Sequence, residues 1–183
     1  MKKLQTLAVF AFLLVACGSP EEPGPPATET TVDSPESHSS LAQLMRGLLY
    51  PNSEVIFAAQ DEDPEAAAAA AAEADPFGGG DLYAGWEGVE NAALMLSEAA
   101  NLIVIPGRLC QNGLPVPLGN EDFRMAARQL VEAGRVAYEA ALTKSMDAML
   151  EASGVVSDAC SVCHETYRDR SDDEMMRCIS GQP

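Results

Sequence analysis

Histidine, cysteine and basic side chains are scarce in this sequence. Its 183 residues include 2 histidines, 5 cysteines and 11 lysines or arginines. Apart from Cys160 and Cys163, no cysteine pair has metal-ligand spacing, which argues against a structural zinc site, since zinc takes four ligands. Acid–base and nucleophilic side chains form no cluster elsewhere, so we do not expect an enzyme.

The shortage of basic side chains leaves the chain strongly acidic. Aspartate and glutamate together number 28, and the formal net charge is -17. Removal of Lys2 and Lys3 with an N-terminal signal would take that charge from -17 to -19. Such a surface repels nucleic acid and anionic lipid headgroups, and it attracts a partner protein with a basic docking face.

The sequence also has no long apolar run, but it has a short one near the N-terminus. It extends over 7–15, follows two lysines and ends at Ala16-Cys17. The run is shorter than the ~20 residues of a membrane-spanning helix, although an ordinary membrane anchor is the alternative interpretation. The segment resembles a bacterial lipoprotein signal, which implies a signal peptide over 1–16 and a lipid on Cys17. The mature protein would then be a membrane-anchored lipoprotein of the periplasm or cell envelope.

Residues 17–40 are rich in Pro, Glu, Thr and Ser and have almost no apolar side chains. Such a composition cannot bury enough surface to offset the entropy of ordering, so we expect a disordered tether, with His38 a solvated residue. The remainder, 41–183, has the length of one domain. Within it, the alanine-rich insertion 64–76 is predicted to form a short surface helix or an excursion between helices.

Helical periodicity dominates the domain, and no segment has a convincing strand pattern. Four helices without strands predict an all-α protein, a four-helix bundle. Pro51 either kinks the first helix or divides it, and Gly154 is expected to separate the third helix from the fourth. The first predicted helix begins at Leu41, the second covers Leu82–Ile103, and the third covers about Glu121–Ala152. The fourth begins at Val156 or Ser157 and runs toward Met176.

The last predicted helix contains Cys160-Ser161-Val162-Cys163-His164, which matches the pentapeptide that attaches c-type haem. On a helix, residues three and four apart share a face, so both thiols and the imidazole project together. Two thioether bonds would fix one haem c, and His164 would be the proximal iron ligand. A disulfide or redox dithiol is the alternative, but a thioredoxin-like motif would accompany alternating strands and helices.

The remaining cysteines form an even pair. Once Cys17 is assigned to lipid and the motif cysteines to haem, Cys110 and Cys178 are left. An exported protein meets an oxidising compartment, which permits structural disulfides. We therefore expect a disulfide between Cys110 and Cys178, with two free thiols as the alternative.

Two stretches resemble a known family. The residues Ala159–Arg168, in which the haem motif is followed by Tyr167 and Arg168, resemble class II cytochromes c of the cytochrome c-prime type. Residues 44–53 are similar to the first-helix segment of exported bacterial cytochromes c of this kind. The resemblance covers about residues 41–178 and implies a four-helix bundle with haem on the C-terminal helix.

The same resemblance suggests roles for single residues. It implies His164 as the proximal iron ligand and Arg168 as a candidate haem contact. It also implies that the first helix packs over the other haem face and supplies whatever lies at the sixth iron position. Met45 lies on the apolar stripe of that helix and is the candidate distal ligand, with core filler as the alternative.

Two functions follow as hypotheses of different class. The first is electron transfer by a single-haem domain at the bacterial cell envelope, with a redox partner protein. The second is binding or sensing of small gaseous ligands, nitric oxide or carbon monoxide, at an open haem iron. Six-coordinate low-spin iron favours the first and five-coordinate high-spin iron the second. A homodimer is a candidate assembly.

Overall fold

The structure is a computed structural model that describes residues 35–74 and 84–168 together with Cys178. All of these residues lie within one compact unit, Ser34–Pro183. The described chain is mostly helical and has no strand, apart from an isolated bridge between Leu109 and Pro115. The all-α class predicted from the sequence is therefore confirmed. The predicted signal peptide, the lipid site at Cys17 and most of the tether fall outside the described residues.

The chain opens with three consecutive helical segments. They are α1 (Leu41–Leu44), a π-helical turn (Met45–Leu49) and α2 (Tyr50–Ala58), and the backbone dihedral angles stay helical where they join. We call residues 41–58 the first helix. Of the two arrangements expected around Pro51, the described residues form one continuous helix with a widened turn before the proline.

The start of the first helix is held in place by capping and by a buried arginine. The Ser40 hydroxyl accepts a hydrogen bond from the Gln43 amide, and the Gln43 side chain accepts one from the Ser40 amide. The guanidinium of Arg108 is buried and donates to the Leu102 carbonyl and to the Ser39 carbonyl, each at 2.7 Å. These hydrogen bonds attach Ser39 and Ser40, the last residues of the predicted tether, to the helical domain.

An alanine-rich helix, α3 (Pro64–Ala74), follows. The Asp63 carboxylate accepts a hydrogen bond from the Glu65 amide at 3.0 Å, so it caps the free N–H groups of the first turn. Most side chains of α3 are exposed, and the helix contacts α4 (Gly85–Asn101). Of the two forms predicted for the insertion, the described residues adopt the surface helix.

The prediction of a single helix over Glu121–Ala152 is wrong. The chain forms α5 (Glu121–Leu142) and then, after a short turn, α6 (Met146–Tyr167). Gly154 lies in the middle of α6 and does not separate two helices, because glycine costs only roughly 1 kcal/mol against alanine at such a position.

The turn between α5 and α6 has its own chemistry. Lys144 adopts a left-handed conformation with φ of 53°, which ends α5. The Ser145 hydroxyl then accepts a hydrogen bond from the Ala148 amide at 3.3 Å and caps α6. A non-glycine residue in the left-handed region gives no signal in the sequence, so the sequence does not predict the end of α5 at this position.

Four helices contact one another in a ring. The first helix packs against α4 and α6, and α5 packs against the same two helices. Contact between α4 and α5 is close: a Cβ atom on Gly134 would lie 2.7 Å from the backbone nitrogen of Ser97. A 3-10 turn (Leu102–Val104) follows α4. The largest fully buried side chains are Phe123, Ile56, Leu96, Ile103, Met149, Val156 and Cys110.

Candidate functional site

The motif residues lie in the last two turns of α6. Cys160, Cys163 and His164 are half-buried, whereas Ser161 and Val162 between them are exposed. Spacings of three and four residues bring both thiols and the imidazole to one side of the helix, as predicted. Both thiols are free. The motif therefore presents two unpaired cysteine sulfurs and one imidazole on the same side of α6.

These side chains border a cavity of about 280 Å³ between the first helix, α4, α5 and α6. Met45 and Arg168 line the same cavity, so all the residues predicted for the cofactor site meet there. The volume lies near the lower end of the usual range for small-molecule sites. Much of the wall is aliphatic, with Leu41, Leu49, Leu96, Ile103 and Leu130 among the lining residues.

Burial disfavours the charged forms of the motif side chains. It raises the pKa of the Cys160 thiol, and burial together with Cys160 and Asp122 raises the pKa of Cys163 to about 11. Burial, and then the positive charge of Arg168, lowers the pKa of His164. Burial therefore favours the neutral form of each of the three groups, and the neutral imidazole is the form in which histidine binds a metal ion.

A zinc site has no further support in this part of the chain. Among the described residues, no three His, Cys, Asp or Glu side chains come together in a group that could hold a metal ion. A structural zinc ion requires four ligands, and the described residues supply no such set around the two thiols and His164.

Tyr167 closes one part of the cavity. Its ring meets the ring of Phe123 edge to face, with centroids 4.9 Å apart. Its hydroxyl is buried and has no partner at hydrogen-bond geometry. Burial raises the pKa of Tyr167, and the nearby Asp122 carboxylate raises it further. The Asp122 and Asn120 side chains lie near that hydroxyl, so a bound ligand is not needed to satisfy it.

Cys178 forms part of the cavity wall and lies at disulfide distance from Cys110, with the Cα atoms 5.6 Å apart. That separation is within the range of protein disulfides. The Cys178 amide also donates to the Tyr167 carbonyl at 2.8 Å. The predicted cysteine pair therefore ties the loop after α4 to the end of α6, beside the motif.

Comparison with protein families, with curated proteins and with solved structures gave no match to this chain. Within the described ranges, no helix has the length and apolar character needed to cross a membrane. The chemistry of the site must therefore be argued from its residues.

A second and larger cavity does not contain the motif. It measures about 750 Å³, is open to solvent, and lies between α3 and α4 beside Trp86 and Tyr138. Its wall includes the alanines of α3 and the carboxylates of Glu65, Glu87 and Glu90. Among its described lining residues there is no cysteine or histidine, so the motif chemistry belongs to the smaller cavity.

Sequence reasoning missed several residues of the site. Arg46, Tyr50, Gln111 and Tyr167 line the cavity beside the predicted ones. Arg46, Tyr50 and Tyr167 had a signal, because they lie in the two stretches that resemble a known family, although no role was predicted for them. Gln111 lies in a loop and had none.

Proposed function

We propose that the protein is a c-type cytochrome that carries one covalent haem c and transfers electrons at the bacterial cell envelope. A single observation carries the proposal: two free thiols, a neutral imidazole and a thioether sulfur border one largely apolar cavity. Covalent haem attachment uses the first three groups, and a histidine–methionine pair at the iron is a recurrent electron-transfer arrangement. No competing reading uses all four groups.

The residues that would hold the haem fit its chemistry. The Cys160 and Cys163 S–H groups would each add across a vinyl group, with sulfur bonding to one carbon and hydrogen to the other, so no oxidant is needed. His164 would ligate through a neutral nitrogen, which its lowered pKa favours. The cofactor supplies a reversible one-electron change at its iron. The protein's share is to hold it, to orient it and to exclude water.

Cationic groups are available for the two carboxylates of the haem. Arg46 and Arg168 line the cavity, while the other arginines of the described chain are paired with glutamates or, like Arg108, buried against backbone carbonyls. Arginine forms strong, charge-assisted bonds with carboxylates. Arg168 is therefore retained as a haem contact.

The arrangement of helices supports a four-helix bundle with haem on its last helix. A closed ring of contacts among the first helix, α4, α5 and α6 is the packing expected of a four-helix bundle, with the cofactor between facing helices. This agrees with the resemblance to cytochromes c-prime, in which the haem lies on the last helix. We propose that α3 is an addition on the outside of this bundle.

Charge and processing suggest where the protein works. A net charge of -17 favours a redox partner with a basic docking face, and association should weaken as salt is added. The lipoprotein-like N-terminus supports anchoring through Cys17 in the periplasm or cell envelope. No nucleic-acid partner is proposed, and a homodimer stays a candidate assembly.

Gas binding is the second candidate function, and the aliphatic cavity wall favours it. If Met45 does not bind the iron, a small ligand would share the cavity with aliphatic side chains that include Leu41, Leu49 and Leu130. Such a pocket suits nitric oxide or carbon monoxide, which need no hydrogen-bond donor for entry.

Visible spectra of the oxidised and reduced protein test the proposal. Electron transfer predicts low-spin iron in both states and no spectral change when carbon monoxide is added to the reduced protein. High-spin iron that binds carbon monoxide would support the second candidate. A protein without any haem spectrum, produced where haem attachment operates, would contradict both.

A further inference from the structure

The first helix contains a wide turn where it borders the cavity. Over Met45–Leu49 the helix is π-helical, and the Tyr50 amide donates to the carbonyl of Met45, five residues earlier. Such single turns insert one extra residue into an α-helix and occur frequently at functional sites. The turn begins at the candidate distal ligand.

Pro51 explains why the turn lies at this place. In an α-helix its nitrogen would bond the carbonyl of Gly47, but proline has no N–H and its ring collides with that carbonyl. Widening the preceding turn moves the carbonyl away. The Asn52 side chain donates to the Leu48 carbonyl at 2.7 Å and so satisfies an oxygen beside the interruption.

The wide turn also sets which residues face the cavity. Leu41, Met45, Leu49 and Ser53 all line it, at a constant spacing of four. In an uninterrupted α-helix the twelve steps from Leu41 to Ser53 would rotate the last residue about 120° away from the first. One extra residue in the turn reduces that rotation to about 20°. The π-helical turn therefore keeps the four on one face.

Both ends of the first helix are fixed, so the turn alone can absorb the difference. At the start, the Leu41 amide donates to the Leu109 carbonyl at 2.8 Å. At the far end, Ile56 is fully buried and its carbonyl accepts from the Ser153 hydroxyl of α6 at 3.3 Å. The conformation of the segment between these two fixed ends therefore determines the direction in which the Met45 side chain points.

We propose that Pro51 is a positioning residue that, through the π-helical turn, presents Met45 to the haem iron. The inference rests on the proposed function. Pro51 is exposed and Gly47 is exposed, so neither takes part in packing that would explain the turn. Removing the proline should let the α-helical bond to Gly47 form and rotate the two halves of the first helix against each other by about 100°. Met45 would then no longer face the cavity together with Leu49 and Ser53.

The test is the spin state of the holoprotein in a set of variants. Pro51→Ala should shift the oxidised iron from low to high spin and abolish the weak red band of sulfur ligation, while covalent haem is retained. Glu54→Ala, an exposed alanine substitution one turn later, is the matched control and should leave the spectrum unchanged.

Rescue separates positioning from general damage. Pro51→Ala combined with deletion of Gly47 leaves eleven steps between Leu41 and Ser53, which an ordinary α-helix presents on one face to within about 20°. The double variant should return to low spin, even if Pro51→Ala alone folds poorly. Far-UV circular dichroism checks that helix content is kept.

The outcomes are distinct. Four results would each overturn the inference and leave covalent haem intact. Two concern Pro51: an unchanged spectrum in Pro51→Ala, or high-spin iron in the double variant. The other two are an effect of Glu54→Ala equal to that of Pro51→Ala, and high-spin iron in the unaltered protein. Absence of covalent haem from the unaltered protein would instead overturn the proposed function.

Discussion

Met45 of the first helix and His164 of α6 border the same cavity, although they are 119 positions apart in the sequence. One offers a thioether sulfur and the other a neutral imidazole. The proposed electron-transfer function depends on both side chains bordering one cavity, because they are the candidate axial ligands of one iron.

Met45→Ala should convert the oxidised iron from low to high spin and remove the weak red absorption band of sulfur ligation. Alanine leaves no donor at this position, so the iron becomes five-coordinate or takes water. Met95→Ala is the control, because Met95 is exposed on α4. Identical spectra for Met45→Ala and the unaltered protein would remove Met45 from the iron.

The disulfide should contribute strongly to stability. Cys110 and Cys178 are 68 positions apart, and closing a loop of that size stabilises the folded state by about 4 kcal/mol in the chain-entropy model. The Cys110→Ser, Cys178→Ser double variant should therefore unfold at a lower denaturant concentration, followed by circular dichroism. Alkylation of the unreduced protein is the companion measurement, and labels on both residues would refute the pairing.

Two helical glycines should respond to alanine with opposite signs. Gly134→Ala should destabilise the protein by about 1–3 kcal/mol, because overpacking costs that much and the new Cβ would meet the Ser97 backbone at 2.7 Å. Gly154→Ala should stabilise it by about 0.5–1 kcal/mol, since nothing lies within 4 Å of its new Cβ. Denaturant titration measures both, and equal effects would contradict the close contact between α4 and α5.

Glu121 should make stability depend on pH. Hydrogen bonds from Arg128 and Arg124 lower its pKa below the ordinary value of 4.5. A carboxyl whose pKa is lowered by folding adds stability above the ordinary pKa and loses it as the pH falls through the folded pKa. The unaltered protein should therefore melt above Glu121→Gln at pH 7, and the difference should disappear in acid. Glu54→Gln on α2 is the control, and a difference that grows in acid would contradict the sign.

Much of the candidate site could be predicted because its chemistry is local in sequence. The spacing of Cys160, Cys163 and His164 is enough to predict that they share one face of a helix. The pairing of Cys110 with Cys178 follows once the other three cysteines are assigned. Met45 could be nominated because it lies on an apolar stripe. The structure brings these side chains to one cavity, which is the part that spacing alone does not establish.

What could not be predicted depends on contacts distant in sequence or on backbone conformation. The end of α5 requires a left-handed conformation at Lys144, which the conformational preference of lysine argues against. Gly154 predicts a helix end, but α6 continues through it because tertiary packing outweighs the low helix propensity of glycine. Pro51 marked an interruption, but whether a kink, a break or a wide turn resulted depended on the anchors at both ends of the first helix.

Covalent haem at Cys160 and Cys163 is the central claim, and the mass of the denatured protein tests it most directly. Protein exported from a host that attaches haem should retain the mass of one haem after denaturation, with haem-dependent peroxidase staining on the gel. The Cys160→Ser, Cys163→Ser variant should lose both signals. A denatured, unaltered protein with the mass of the polypeptide alone and no stain would contradict the account.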